Sequence, residues 1–152
     1  MRANITLRKY LISDCVMVSN LFYNTVHSVN AADYSAEQLD AWAREPNQLT
    51  AKREVLLEQL TLVAEIDGDI VGFGSIDKFG YLDLLYVHKD YQRQGIAAAL
   101  CDELEEGFGT ITTYASITAR PFFEKRGYVV VKSQQVERFG VILKNFEMKK
   151  IS

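Results

Sequence analysis

The segment Leu82–Gly107, LDLLYVHKDYQRQGIAAALCDELEEG, constrains the fold more than any other part of the chain. Leu82, Leu84, Leu85, Tyr86 and Val87 form an apolar run of strand length, too short for a helix of its own. His88-Lys89-Asp90 makes a polar turn, and Gln92-Arg93-Gln94-Gly95-Ile96-Ala97 follows it. Ile96, Ala97, Leu100, Cys101 and Leu104 then recur at helical spacing until Gly107 supplies a stop. A strand that feeds through a basic, glycine-bearing turn into an amphipathic helix implies a layered sheet-and-helix domain.

That turn suits an anion. The first N–H groups of a helix have no internal acceptor, and the helix dipole places partial positive charge there. A diphosphate laid against Gln94, Gly95, Ile96 and Ala97 would satisfy those donors. Gly95 removes the Cβ from its path, Ala97 keeps the next contact small, and Arg93 adds a full charge. No Gly-Lys-Ser/Thr follows, so the turn is not a P-loop, and a dinucleotide fingerprint would need three glycines.

The remaining chain fits one domain over residues 1–152, at 48% hydrophobic and 24% charged. Its formal charge is −3 with scattered basic residues, so nucleic acid is not an expected partner. Cys15 and Cys101 sit in separate helical patterns, which suggests free thiols in a reducing compartment, and no metal-ligand spacing is present. The first residues, MRANITLRKY, lack a signal-peptide core, and no run reaches membrane-spanning length. A cytoplasmic protein without membrane contact is expected.

In chain order, Ile5–Arg8 alternates as a first strand. Ser13-Asp14 offers a cap to a helix with the stripe Val16, Val18, Leu21, Phe22 and Val26, ending near His27. Ser35 caps a short helix carrying Leu39 and Trp42, and Lys52–Leu60 suggests another helical turn or two. Leu62–Ile66 and Ile70–Ile76 make a hairpin across Asp67-Gly68-Asp69, and Gly72 and Gly74 mark a bulge or a close backbone approach. After the opening segment come a strand at Thr110–Ala115 and a brief helix at Ala119–Arg126. A strand at Tyr128–Val131, a polar loop at Lys132–Gly140 and a last strand at Val141–Met148 complete the chain. The expected fold is α/β (α+β): one mixed, mostly antiparallel sheet of six to seven strands flanked by helices. Strand five should lie parallel to strand four.

Gln-x-x-Gly-x-Ala at Gln92–Ala97 resembles the acyl-CoA-binding motif of the GCN5-related N-acetyltransferases, the GNAT family. SITARPFFEKRGY, from Ser116 to Tyr128, is similar to that family's later motif, in which an Asn precedes a short helix ending in Tyr-x-x-x-Gly-Phe. The resemblance runs from about Ile5 to Met148, with both motifs in the family's order. It implies the GNAT fold with a splay between strands four and five, acetyl-CoA as cosubstrate and no metal. The expected partners are acetyl-CoA and an amine acceptor, either a small molecule or a peptide, and a homodimer stays open.

The resemblance also implies residue roles. Backbone groups of Leu85, Tyr86 and Val87 would pair with pantetheine as an added strand does. Gln92, Arg93, Gln94, Gly95, Ile96 and Ala97 would hold the pyrophosphate. Ser116 falls where the family has its Asn, and capping the following helix is its alternative role. Alternation places Tyr81, Asp83, Leu85 and Val87 on one face of strand four and Leu82, Leu84 and Tyr86 on the other. Asp83 is the one carboxylate there and the candidate general base, with an ion pair to a nearby Lys or Arg as the alternative. Phe123 stands where family members that use a general acid carry Tyr, and would pack on the cosubstrate. Tyr114 and Tyr128, with Tyr86, are candidates for the missing acid. His27, Tyr34 and Trp42 line either an acceptor pocket or local core.

The leading function is acetyl transfer to a primary amine by direct attack on the thioester. A non-catalytic acyl-CoA sensor is the alternative, and a protein-interaction domain that has lost the ligand is the third.

Overall fold

The computed structural model describes residues 4–152 and contains β1 (Thr6–Lys9), α1 (Cys15–Ser28), α2 (Ala36–Trp42), α3 (Arg53–Glu58), β2 (Leu60–Ile66), β3 (Asp69–Ile76), β4 (Tyr81–Val87), α4 (Ile96–Leu104), β5 (Thr110–Ser116), α5 (Arg120–Lys125), β6 (Val129–Arg138) and β7 (Val141–Ile151). The strands make one sheet in the order β1-β2-β3-β4-β5-β7-β6. Neighbours from β1 to β4 are antiparallel, and β4 and β5 are parallel, as the helical crossover between them requires. The expected mixed sheet is therefore present, with β6 and β7 extending it on the far side.

Several local signals act as their chemistry dictates. Asp67 and Gly68 both take positive φ, +52° and +84°, which closes the β2–β3 hairpin with the twist the strands need. Ser35 accepts from the Gln38 N–H, and the Gln38 side chain accepts from the Ser35 N–H, a reciprocal cap that starts α2. At α1 the expected cap differs. Asp14 turns back to accept from the Leu11 N–H and from Arg8, and the one-turn Ile12–Asp14 leads into the helix. Val16, expected in the buried stripe, is exposed, while Val18, Leu21, Phe22 and Val26 are buried.

Each sheet face carries its own core. Leu62, Ile76, Leu82, Val87 and Ile111 pack against Ile96, Leu100, Cys101 and Leu104 of α4 and against Phe123 of α5. On the other face Val63 and Phe73 pack against Val18, Phe22 and Val26 of α1, Leu39 of α2 and Leu49. Gly74 shows how tightly α4 is seated. A Cβ there would lie 2.7 Å from Leu104 Cδ1 and 3.2 Å from the Leu84 carbonyl oxygen. Gly74→Ala should destabilise the fold by about 1–2 kcal/mol, measured by denaturant unfolding, because Leu104 must leave its rotamer to admit the methyl.

The largest departure from the sequence-based expectation is β6. The segment expected as a polar loop continues the strand to Arg138 and turns at Phe139-Gly140, both with positive φ, into β7. It is polar because it forms the sheet edge, where both faces of the strand are largely wet. The hairpin is tied to the helical layer. Tyr34 Oη donates to the Lys144 carbonyl at 2.5 Å, Gln38 Nε2 donates to the Ile142 carbonyl at 2.9 Å, and the Arg44 guanidinium lies 3.8 Å over the Phe139 ring.

Candidate active site

The site begins where the sheet opens. β4 and β5 pair only at Tyr81↔Thr112 and Leu82↔Thr113, so Asp83–Val87 has no strand partner on its β5 side. The cause lies partly in β4 itself. Opposite β3, Ser75 pairs with Leu84 and Ile76 with Leu82, which leaves Asp83 as the extra residue of a bulge. The bulge also corrects the simple alternation. Leu82, Leu85 and Val87 belong to the α4-side core, whereas Leu84 and Tyr86 pack on the α1 side. Leu82 thus sits on the opposite face from Leu84 and Tyr86.

The turn after β4 is a ring of free donors. Arg93 and Gly95 both have positive φ, +61° and +83°, and α4 starts at Ile96. The first bond of this helix runs from the Ala99 N–H to the Gly95 carbonyl, so the N–H groups at Gly95, Ile96, Ala97 and Ala98 have no acceptor in the helix. Successive amides in such alternating backbone form an anion-binding concavity. The Gln92 side chain faces inward. Its Nε2 donates to the Val87 carbonyl at 2.5 Å and fixes the turn against the end of β4, so its expected contact with the anion gives way to a positioning contact.

Asp83 has neither an ion pair nor a hydrogen bond among the described residues, so the ion-pair alternative finds no partner there. Its charge reaches two phenols. Burial pushes Tyr81 up to about 12, with Asp83, then Tyr114 and Asp77, adding to the rise and Arg138 opposing it. Burial pushes Tyr86 up more strongly, opposed by the nearby Trp42 side chain and reinforced by Asp83. Tyr86 lies edge-on to Phe22 at 5.0 Å and stacks on Phe73 at 5.8 Å. Tyr114 is half exposed on β5, its ring 5.5 Å from Tyr81.

Other expected site residues have structural duties. Tyr128 is buried, and its hydroxyl donates to Glu105 at 2.7 Å, which removes it from the candidate acids. The same carboxylate accepts from Arg126 at 2.8 Å and Lys150 at 3.0 Å, a cluster that no local pattern announces. Phe123 is 3% exposed, packed against Tyr128 at 4.9 Å and Phe122 at 5.2 Å, so it belongs to the core and presents no ring to a ligand. Ser116 Oγ accepts from the Ala119 N–H at 3.0 Å and from Asn30 Nδ2 at 3.4 Å, the capping role. Tyr34 spends its hydroxyl on Lys144 and on the Ile117 N–H. His27 Nε2 lies 2.7 Å from the Ala43 carbonyl and joins α1 to the end of α2. Trp42 packs beside Tyr34, 5.3 Å between ring centroids, against the α1-side core that also holds Tyr86.

Among the described residues there is no cluster of His, Cys, Asp and Glu able to hold a metal, and no helix long and apolar enough to cross a membrane. Residues 30–150 match the acetyltransferase (GNAT) domain model. An uncharacterised N-acetyltransferase of Escherichia coli K12, YafP, is 37% identical over 148 residues, covering 96% of this chain and 95% of that protein. A GCN5-related N-acetyltransferase of Rhodopseudomonas palustris superposes with a TM-score of 0.93 at 36% identity, covering 100% of this chain and 98% of that one. The PaiA N-acetyltransferase of Thermoplasma acidophilum, solved with coenzyme A, shares the fold with a TM-score of 0.75 at 22% identity, over 98% and 99% of the two chains. With the split between β4 and β5, the open α4 N-terminus and these matches in agreement, the chain belongs to the GNAT family and is an N-acetyltransferase.

Proposed function

We propose that this enzyme transfers the acetyl group of acetyl-CoA to a primary amine of a small molecule or peptide by direct attack. The observation that carries this reading is one continuous feature: the unpaired edge at Asp83–Val87 runs into the donor ring at Arg93–Ala97. An amide-bearing arm ending in a diphosphate matches both parts at once. Leu85, Tyr86 and Val87 supply strand-like backbone groups, and Arg93, Gln94, Gly95, Ile96 and Ala97 supply amides and a charge. Binding of coenzyme A by the PaiA relative supports the same ligand class.

The chemistry needs little from the protein. The amine lone pair attacks the thioester carbonyl carbon, the C–S bond breaks, and the sulfur leaves as thiolate. The acceptor, an ammonium at neutral pH, first gives one proton, directly or through a water, to Asp83, which releases it to solvent, and after attack the nitrogen gives up a second. The thiolate takes one proton, so amine and thioester become amide and free thiol. A thiol with a pKa near that of Cys, about 8.5, leaves with modest help. Tyr86 or Tyr114 returns that proton, or water does, since Tyr128 and Phe123 are committed to the core. Two free, buried cysteines suit the reducing cytoplasm where acetyl-CoA is available.

Gly95→Val tests the cosubstrate site. Its left-handed φ makes a branched residue costly, so Gly95→Asn, which tolerates that region, is the companion variant. Both should weaken coenzyme A binding at least tenfold by calorimetry, about 1.4 kcal/mol, and only the valine variant should also lose stability. Unchanged affinity in the folded asparagine variant would refute the assignment.

A further inference from the structure

Helix α1 and the residues just after it touch both walls of the split between β4 and β5. On the β4 wall Phe22 meets Tyr86 edge-on, with ring centroids 5.0 Å apart. On the β5 wall Asn30 lies at the strand end, its Nδ2 3.4 Å from Ser116 Oγ. Thr25 falls between these two contacts along the chain, on the buried stripe of Val18, Leu21, Phe22 and Val26 that packs on the sheet. Two polar side chains thus lie over the stretch where β4, paired with β5 only at Tyr81 and Leu82, has lost that neighbour.

The fold makes little use of either. Thr25 is 4% exposed, and its Oγ1 has no hydrogen-bond partner. Asn30 is 6% exposed, and its long bond to Ser116 is the only one its side chain makes among the described residues, so its Oδ1 has no donor. Ser116 does not depend on that bond, because its Oγ already accepts from the Ala119 N–H at 3.0 Å. Next to it Asn145, the β7 partner of Ser116, also has a buried Oδ1 without a partner. Buried polar groups left unpaired oppose folding, and their gathering at one end of the split calls for a ligand that pairs them.

We infer that Asn30 and Thr25 bind the pantetheine arm of the cosubstrate by hydrogen bonds to one of its amides. This rests on the acetyl-CoA reading. A carboxamide matches a secondary amide, since Asn30 donates from Nδ2 to the carbonyl and accepts the N–H at Oδ1. Thr25 Oγ1 adds a hydroxyl that both donates and accepts. An arm laid along Leu85–Val87 has backbone partners on its β4 edge only, because β5 has diverged there. A side chain anchored at Ser116 reaches the arm from the other wall.

The test is calorimetry on the purified protein with coenzyme A and with 3′-phospho-ADP, which keeps the diphosphate and lacks the arm. Thr25→Val keeps the shape and removes a hydroxyl that the fold leaves unpaired, so its Tm should hold or rise. Its coenzyme A affinity should fall about threefold to tenfold, the range for one hydrogen bond, with 3′-phospho-ADP affinity unchanged. Asn30→Ala should lose about tenfold for coenzyme A, again with 3′-phospho-ADP unaffected. Asn30→Asp keeps a tie to β5, because the Ser116 hydroxyl can donate to it. It should show the same selective loss, and it replaces the alanine variant should that one fail to fold. Equal losses for the two ligands, or unchanged coenzyme A affinity in a folded variant at either position, overturn the inference and leave the cosubstrate reading standing. A wild type that binds neither ligand overturns both.

Discussion

Asp83→Asn is expected to lower turnover about a hundredfold near neutral pH while leaving coenzyme A affinity nearly intact. The carboxylate stands at the bulge where β4 loses its neighbour, with no cation or hydrogen-bond donor to occupy it among the described residues. In the proposed reaction it accepts the proton that an ammonium must lose before its nitrogen can attack. As pH rises toward the amine's own pKa, solvent supplies free amine and the deficit should shrink. The measurement is a pH–rate profile for both proteins at saturating acetyl-CoA. A variant that melts earlier but keeps the wild-type profile would assign Asp83 to the architecture of the bulge.

Glu105→Gln should have the largest effect on stability, about 3 kcal/mol, or roughly 10 °C in Tm. Glu105 is buried at the end of α4 and accepts from Arg126, Tyr128 and Lys150, so the amide would leave Lys150 without its counter-charge and Arg126 with only the exposed Asp102. The wild type also carries a pH signature. Burial works against the Glu105 charge, but hydrogen bonds from Arg126, Tyr128 and Lys150 outweigh it and hold the carboxyl below its ordinary value. A depressed folded pKa means that the contribution is full above the unfolded glutamate range, about 4.3, and is lost as pH falls through the folded value. Asp14, held down by its bond with Arg8, adds in the same direction. Urea unfolding between pH 7 and pH 3 should therefore show a shallower acid loss in Glu105→Gln than in wild type. Parallel curves would refute the account.

Much of the proposed cosubstrate side was legible because its chemistry is local. Strand, turn and helix are contiguous, and the donors at Arg93–Ala97 follow from where a helix starts. The sheet edge was less legible. Arg138 lies in an edge strand whose polar face resembles a loop, although Phe139-Gly140 is a glycine-bearing turn that could have signalled the hairpin. Motif position points Phe123 at the cosubstrate, and nearness in sequence makes Tyr128 a candidate acid, yet neither shows which way a ring packs. Both point into the core under α4.

The sequence by itself determined the order of elements, the β2–β3 turn at Asp67-Gly68, the cap of α2 at Ser35, and the start of α4 with its free N–H donors. Each depends on hydrogen bonds and φ preferences within a few residues. Only the tertiary structure decided the rest. A bulge at Asp83 sends Leu82 to one face and Leu84 to the other, because pairing across strands, and not spacing along one, sets the register. Glu105 gathers Arg126, Tyr128 and Lys150 from separate elements, a meeting that the sheet order creates and no periodicity encodes.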